Sequence, residues 1–146
     1  MNPLFRTIYM SESVEPLTGE AFAQMSEAFS RKNSLQDISG LLLVVGRYYL
    51  QIIEGPESQT RSLMQRIHDD PRHTNVLLLS EQNEDLRIFG SWAMRGLDVD
   101  RDVDLDPALR ARIQGFVHET SAAASQDPAA ARALVYAIAQ FLRGRG

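Results

Sequence analysis

The 146-residue chain has no cysteine, only three histidines and no long unbroken run of apolar residues. Without cysteine it has no disulfides, thiolate metal ligands or thiol nucleophiles. His68, His73 and His118 lack the paired spacing of metal ligands, so we expect no metal site. No stretch approaches the ~18 apolar residues of a membrane span, and the N-terminal residues do not resemble a signal peptide. The sequence therefore predicts a cytoplasmic protein that does not bind membranes.

The charge and size of the chain exclude further classes. Its formal net charge is −4, and a mildly acidic protein lacks the basic surface that nonspecific nucleic-acid binding requires. At 44% hydrophobic residues it can form a substantial core. We expect one domain with a modest appendage and no nucleic-acid partner.

The hydrophobic pattern predicts the order β-α-β-β-α-β followed by one further strand. One helix begins at Thr18 and ends near Asn33, and a second is capped by Ser58 and ends at Asp70-Pro71. Gly46-Arg47 suits a type II′ hairpin turn. The predicted strands are Leu4–Met10, Ile38–Val45, Tyr48–Glu54, Val76–Ser80 and Arg87–Met94. This order is typical of the ferredoxin-like split βαβ fold, an α+β architecture with a mixed sheet and both helices on one face.

The C-terminal part of the chain predicts two short helices. Asp106-Pro107 and Asp127-Pro128 each combine a helix cap with a proline in the first turn. The second helix carries an apolar stripe made of Leu134, Val135, Ile138, Phe141 and Leu142. We expect these helices to cap the bare face of the sheet, which divides the chain into domain 1–96 and cap 97–146. The stripe also suits a dimer surface, and the two roles can coexist.

Gln51 interrupts an otherwise apolar strand. Side chains alternate along a strand, so Gln51 shares a face with Tyr49 and Ile53. An unpartnered buried amide costs about 1–3 kcal/mol, so Gln51 needs hydrogen-bond partners. Taken alone, Gln51 is most simply a structural amide, and Tyr9 a core ring whose hydroxyl reaches water. However, the split βαβ order makes their strands neighbours, so the two side chains can face one helix-side cleft and bond each other.

The predicted cleft suits a flat heterocycle with a polar edge. Amides from Gln51 and Asn33 can bond ring carbonyls and nitrogens, while Met25, Ile38 and Ile53 can enclose the two faces of the ring. Other candidate residues also have simpler structural interpretations. Asn33 can be the C-terminal residue of a helix, Trp92 and Met94 can fill the core, and Arg72-His73 can be a solvated loop pair.

Five stretches carry a resemblance to a known family. They are RTIYMS, SRKNSLQDISGLLLV, GRYYLQIIEGP, RIHDDPRH and FGSWAM, in order and at compatible spacing. Over roughly residues 4–96 the chain resembles a BLUF domain, the blue-light sensors that use FAD. It departs from the usual family pattern at Phe29, Lys32, Ser39, Tyr49 and Ala93.

The resemblance implies a noncovalent flavin between the two helices, FAD with FMN or riboflavin as alternatives. It implies that Tyr9 donates an electron and a proton, that Gln51 bridges Tyr9 and the flavin, and that Asn33 holds the polar edge of the ring. Trp92 or Met94 would lie next to Gln51. Tyr49 stands on the chromophore side, where the family often has phenylalanine. Residues expected near the ribityl chain and phosphates are Arg66, Asp70, Arg72 and His73.

The resulting hypothesis is a blue-light photoreceptor and not an enzyme. Light would rearrange the hydrogen bonds of Gln51, and the change would pass through the last strand to the C-terminal helices. Too few residues follow the domain for a cyclase or phosphodiesterase, so we expect an effector protein as partner, or a homo-oligomer that changes its state. The alternative is a ferredoxin-like regulatory module that binds a small ligand without photochemistry. A small hydrolase on this fold is a third class, but it would need a nucleophile–base pair, and the sequence shows none.

Overall fold

A computed structural model describes residues 4–14, 37–71, 73–89, 95–123 and 127–144. The predicted first helix, which contains Met25 and Asn33, lies outside the described residues. Arg72, Trp92 and Met94 also lie outside them, and His73 is described only by its backbone.

The described strands form a single mixed sheet. They are β1 Leu4–Ser13, β2 Ser39–Val45, β3 Tyr48–Pro56, β4 His73–Glu84 and β5 Arg95–Asp98. The order across the sheet is β4-β1-β3-β2-β5. Strand β5 pairs in parallel with β2, and the other pairs are antiparallel. The predicted split βαβ order is therefore confirmed, with the extra strand at the β2 edge.

Three helices are described: α1 Glu57–Asp69, α2 Pro107–Ala123 and α3 Pro128–Gly144. The carboxylate of Asp106 accepts the Leu109 N–H at 3.0 Å, and that of Asp127 accepts the Ala130 N–H at 3.1 Å. Both Asp-Pro pairs therefore begin helices as predicted, because each aspartate satisfies a first-turn N–H that has no partner within the helix.

The predicted cap at Ser58 is wrong. Strand β3 continues through Pro56, which is the N-cap of α1 and makes no side-chain cap hydrogen bond. Ser58 therefore already lies within the first turn, where its hydroxyl contacts Gln59 at 2.7 Å. Glu57 stabilises this turn instead. Its negative charge lies at the positive end of the helix dipole, and its carboxylate pairs with Arg61 at 2.9 Å.

The hairpin between β2 and β3 has the predicted length. Val45 pairs with Tyr48, so Gly46 and Arg47 are the two loop residues. Gly46 has a φ of +60°, whereas Arg47 is not among the described residues with positive φ. A positive φ at the first loop residue alone fits the type II′ turn.

The cap helices cover one face of the sheet. Ile8, Leu41, Leu43 and Ile52 of the sheet share a buried cluster with residues of α2 and α3. In the predicted stripe of α3, Phe141 is half-buried and the other four residues are at most 2% exposed: Leu134, Val135, Ile138 and Leu142. The predicted cap is thus confirmed. The opposite face packs against α1 through Leu63 and Ile67.

The predicted boundaries of the last strand are wrong. Arg87–Phe89, where that strand was expected to begin, is not part of a strand, and the described strand β5 is Arg95–Asp98. Backbone groups of this stretch bond to side chains instead of to a neighbouring strand. Among the described helices, none is both long and apolar enough to cross a membrane.

Candidate functional site

Tyr9 and Gln51 occupy opposed positions on the antiparallel strands β1 and β3. The Tyr9 hydroxyl donates a hydrogen bond to Gln51 Oε1, and each residue is only 2% exposed. Gln51 also stands opposite Leu42 of β2, which in turn stands opposite Gly96 of β5. The predicted hydrogen bond is confirmed, and it lies at the centre of the sheet on a row that ends at β5.

The surroundings of this polar pair are apolar. Tyr9 belongs to a buried cluster with Ile38, Tyr49 and Ile53, all on the face of the sheet that carries α1. These three predicted lining residues are 2%, 8% and 0% exposed, in that order. Leu42, Val44, Leu63 and Ile67 complete the buried cluster. The alternation along β1 and β3 brings the predicted residues together, because positions two apart share one face.

The phenol of Tyr9 is held in its neutral form. Burial raises the pKa of Tyr9 far above its ordinary value, because the anion would lose its hydration. Electrostatic interactions with Tyr49 and with Asp70, just beyond α1, raise that pKa further. Tyr9 is therefore a hydrogen-bond donor at neutral pH. Asp70, which the resemblance associates with the ribityl chain, acts electrostatically on the Tyr9 side of the site.

The remaining predicted site residues lie either on α1 and β4 or outside the described ranges. Arg66 lies on an exposed side of the last turn of α1, and His73 begins β4 opposite Ser13. The residues that lie outside the described ranges are Met25, Asn33, Arg72, Trp92 and Met94. The structure thus unites Tyr9, Gln51, Ile38, Tyr49 and Ile53 on one face of the sheet.

The helix side of the sheet has the composition that a flavin requires. A flat ring with apolar faces and a polar edge needs apolar walls and a few fixed polar groups. Ile38, Ile53 and Tyr9 with Gln51 provide both kinds of group. Thr7 on β1 and Thr60 on α1 have buried hydroxyls without a hydrogen-bond partner in the described structure, so they leave polar capacity for a bound molecule or water. The described residues contain no cluster of three or more metal-ligating side chains.

One buried polar pair was missed by the sequence reasoning. Arg6 and Glu54 are 4% and 0% exposed and form an ion pair of 3.0 Å on the cap-side face. A signal was present in the sequence, because each charge occupies a position whose side chain is expected on a buried face. Arg6 lies on the same face of its strand as Ile8, and Glu54 lies on the same face as Ile52. A charge at such a position needs a partner, and each strand supplies the partner of the other.

Comparison with known proteins identifies the family. A model of the BLUF family, described as sensors of blue-light using FAD, matches residues 4–95. The chain is 32% identical to the blue light- and temperature-regulated antirepressor BluF of Escherichia coli (strain K12) over 92 residues, which are 63% of this chain and 23% of that protein. It is 30% identical to photoactivated adenylate cyclase subunit alpha of Euglena gracilis over 109 residues, which are 73% of this chain and 11% of that protein.

A solved structure extends the similarity to most of the chain. BlrB, described as a BLUF protein in its dark state, superposes with a TM-score of 0.67 at 28% identity, covering 86% of this chain and 99% of that chain. The chain spans less than a quarter of each of the two relatives named above. The family match includes both Tyr9 and Gln51. The chain therefore belongs to the BLUF family of blue-light sensors, which use FAD.

Proposed function

We propose that this chain is a blue-light receptor whose response is carried by Tyr9 and Gln51, and that residues 1–96 sense light while residues 97–146 pass the signal on. The observation that carries the proposal is the buried hydrogen bond from the Tyr9 hydroxyl to Gln51 Oε1. A phenol and an amide on the apolar, helix-side face of the sheet form a minimal set that can move a proton and then change its hydrogen bonds.

The bound flavin would supply absorption of blue light and an excited state that oxidises a nearby phenol. Tyr9 would hold its proton in the dark, since its pKa lies far above neutral. On losing an electron the phenol becomes strongly acidic, so its proton moves along the existing hydrogen bond to Gln51 Oε1. When the electron and proton return, the Gln51 amide is left rotated or tautomerised, and it presents a different hydrogen-bonding atom to the chromophore.

The cofactor-facing residues have separate roles in this proposal. Ile38, Ile53 and Tyr49 line the face of the sheet on which the ring would stack, and their burial excludes water from the Tyr9–Gln51 pair. Asn33 and Met25 would hold the polar edge and one face of the ring. Trp92 or Met94 would neighbour Gln51. Arg66, Asp70, Arg72 and His73 would contact the ribityl chain and phosphates.

The output route proposed here runs from the sheet into the cap. Gln51 is connected across β2 to Gly96 of β5 by direct strand pairing. The loop after β5 then binds α2, because Arg110 donates to Val99 O at 3.0 Å and Gln114 donates to Asp100 at 2.8 Å. Small shifts of β5 would therefore reach α2 through these hydrogen bonds.

We further propose that the receiver is an effector protein, reached through a homo-oligomer of this chain. The named relatives support an effector, because one is an antirepressor and the other a subunit of a photoactivated cyclase. A location in the cytoplasm stays a prediction from the sequence.

The proposal is tested by the absorption spectrum of the purified flavin-loaded protein, recorded before and after blue light. It predicts a small, reversible red shift of the flavin bands, because the rearranged Gln51 would form a different hydrogen bond with the polar edge of the ring. A flavin-loaded protein whose spectrum is unchanged by light, or is only bleached, would contradict it.

A further inference from the structure

The Arg6–Glu54 ion pair lies at a junction of several chain segments. Glu54 stands on β3, three positions after Gln51 and on the opposite face of the sheet. Arg6 stands directly opposite it on β1. Besides Arg6 Nε at 3.0 Å, the Glu54 carboxylate accepts the hydroxyl of Ser39, the first residue of β2, at 3.3 Å. One buried carboxylate thus joins the three central strands at one end of the sheet.

The same carboxylate holds a stretch of backbone that belongs to no strand. Ile88 N–H donates to Glu54 Oε2 at 3.0 Å, and Phe89 N–H donates to Glu54 Oε1. Residues 85–89 are described as bends and irregular chain, and Phe89 is fully buried. Buried backbone N–H groups outside a ladder need other acceptors, and here a charged side chain provides them.

Two arginines reinforce this attachment. Arg6 Nη2 donates to Leu86 O at 2.8 Å. Arg87 donates to Ser39 Oγ at 2.8 Å and to Asp37 O at 2.8 Å. The stretch 86–89 is therefore fixed from both sides by charged hydrogen bonds, which are stronger than neutral ones.

The position of this attachment in the chain gives it significance. Phe89 is followed by the short segment that carries Trp92 and Met94, and then by Arg95, which begins β5 in register with Leu41. The described residues on either side of this segment are held to the sheet, Ile88 and Phe89 by Glu54 and Arg95 by strand pairing. With Ile88 and Phe89 held by Glu54, residues 85–89 have little freedom to absorb a displacement that starts near Gln51.

We propose that Glu54 is a positioning residue for signal output: it fixes Ile88 and Phe89 so that a rearrangement at Gln51 is passed to β5 and α2 instead of being absorbed by residues 85–89. This inference rests on the proposed function, because it concerns how the light signal leaves the Tyr9–Gln51 pair. Glu54 takes no part in the photochemistry itself, since it lies on the cap-side face.

The test compares two isosteric substitutions that share Arg6 as a partner. Glu54→Gln keeps the shape but puts an amide NH₂ where one carboxylate oxygen accepts hydrogen bonds. Glu84→Gln is the matched control, because Glu84 also pairs with Arg6 at 3.0 Å but makes no described bond to Ile88 or Phe89. Both full-length, flavin-loaded proteins are examined for the light-induced red shift and for amide hydrogen exchange in darkness and under blue light.

The expected result separates signal output from photochemistry. Wild-type protein and Glu84→Gln should show the red shift and faster exchange in residues 95–123 under light. Glu54→Gln should keep the red shift, while its light-minus-dark exchange difference in 95–123 falls at least about fivefold, the lower end of ordinary coupling between sites. A merely structural role would raise exchange equally in darkness and light, and would leave that difference in place.

Each other outcome has a definite meaning. A Glu54→Gln protein with the red shift and a wild-type exchange difference would overturn the positioning role and leave the proposed function intact. A wild-type protein without a red shift would instead refute the proposed function. If Glu54→Gln does not fold, Glu54→Asp carries the same test, because it keeps the negative charge beside Arg6 but shortens the side chain that accepts the N–H groups of Ile88 and Phe89. An unchanged exchange difference in a folded Glu54→Asp protein would then overturn the positioning role.

Discussion

Tyr9 and Gln51 face each other across two antiparallel strands, and the phenol of one donates a hydrogen bond to the amide oxygen of the other. Both side chains are buried among apolar residues on the face that carries α1. Because the pair needs no further protein group to exchange a proton, it forms a self-contained relay. Its proposed role in a blue-light sensor has several measurable consequences.

Replacing Gln51 removes the amide but leaves the Tyr9 hydroxyl. Gln51→Leu should therefore bind flavin yet show no red shift under blue light, because leucine can neither accept the Tyr9 proton nor form a new hydrogen bond. The measurement is the light-minus-dark absorption difference at equal flavin content. Gln59→Leu, on the exposed side of α1, is the matched control and should behave as wild type. A normal red shift in Gln51→Leu would exclude the amide from the response.

The flavin should be held without a covalent bond. The chain contains no cysteine, so no thioether or thiol adduct can form. Acid precipitation of the purified protein should release all of the yellow colour into the supernatant. Colour that stays in the precipitate would show a covalent link and would contradict this prediction.

The red shift should be insensitive to pH over the neutral range. Burial raises the pKa of Tyr9 above its ordinary value of about 10. The folded protein therefore keeps the phenol protonated where the unfolded chain begins to ionise it, so this contribution to stability is present below about pH 10 and is lost as the pH rises further. The amplitude of the red shift should stay constant from about pH 6 to pH 9. A loss of amplitude with a midpoint inside that range would show that the Tyr9 phenol is not held neutral.

The cap should depend on the buried stripe of α3. Leu134 is 2% exposed and packs in the cluster beneath the cap. Leu134→Ala should lower the free energy of unfolding by about 2–5 kcal/mol, because it removes buried methyl groups and leaves a cavity. Urea denaturation at an unchanged m-value measures this loss. Tyr136→Ala, on the same helix but 52% exposed, should change stability by no more than ~0.5 kcal/mol.

The outcome for Leu134 also bears on the photochemistry. The stripe lies on the cap side of the sheet, whereas Tyr9 and Gln51 face α1. Leu134→Ala should therefore retain the flavin red shift at temperatures where it is folded. If Leu134→Ala and Tyr136→Ala proved equally stable, the stripe would not be a core element of the cap.

The local pattern of the sequence was sufficient to predict the architecture of the sheet. Alternation in β1 and β3 assigned Tyr9, Gln51 and Ile53 to one face, and the cap-side stripe of α3 followed from its helical spacing. Both signals depend on residues within one element. Strand lengths were less predictable. Strand β4 extends over His73–Glu84 because it pairs with β1, and this pairing continues where the residues of β4 are polar.

Interactions between distant segments escaped the sequence reasoning. Residues 87–89 contain apolar side chains that resemble a strand, yet the carboxylate of Glu54, 34 and 35 positions away along the chain, binds the N–H groups of Ile88 and Phe89. Similarly, Ser58 has the side chain of a helix cap, but β3 continues so far that α1 begins before it. In both places a tertiary or neighbouring element outweighed a local preference.

The most direct test of the central claim is the light-minus-dark absorption spectrum of Tyr9→Phe, measured beside wild type and Tyr48→Phe. Tyr48 is the matched control, because it is a partly buried tyrosine of β3 whose side chain packs on the cap-side face. At equal flavin content, wild type and Tyr48→Phe should show the reversible red shift, and Tyr9→Phe should show none. A full red shift in Tyr9→Phe would contradict the account.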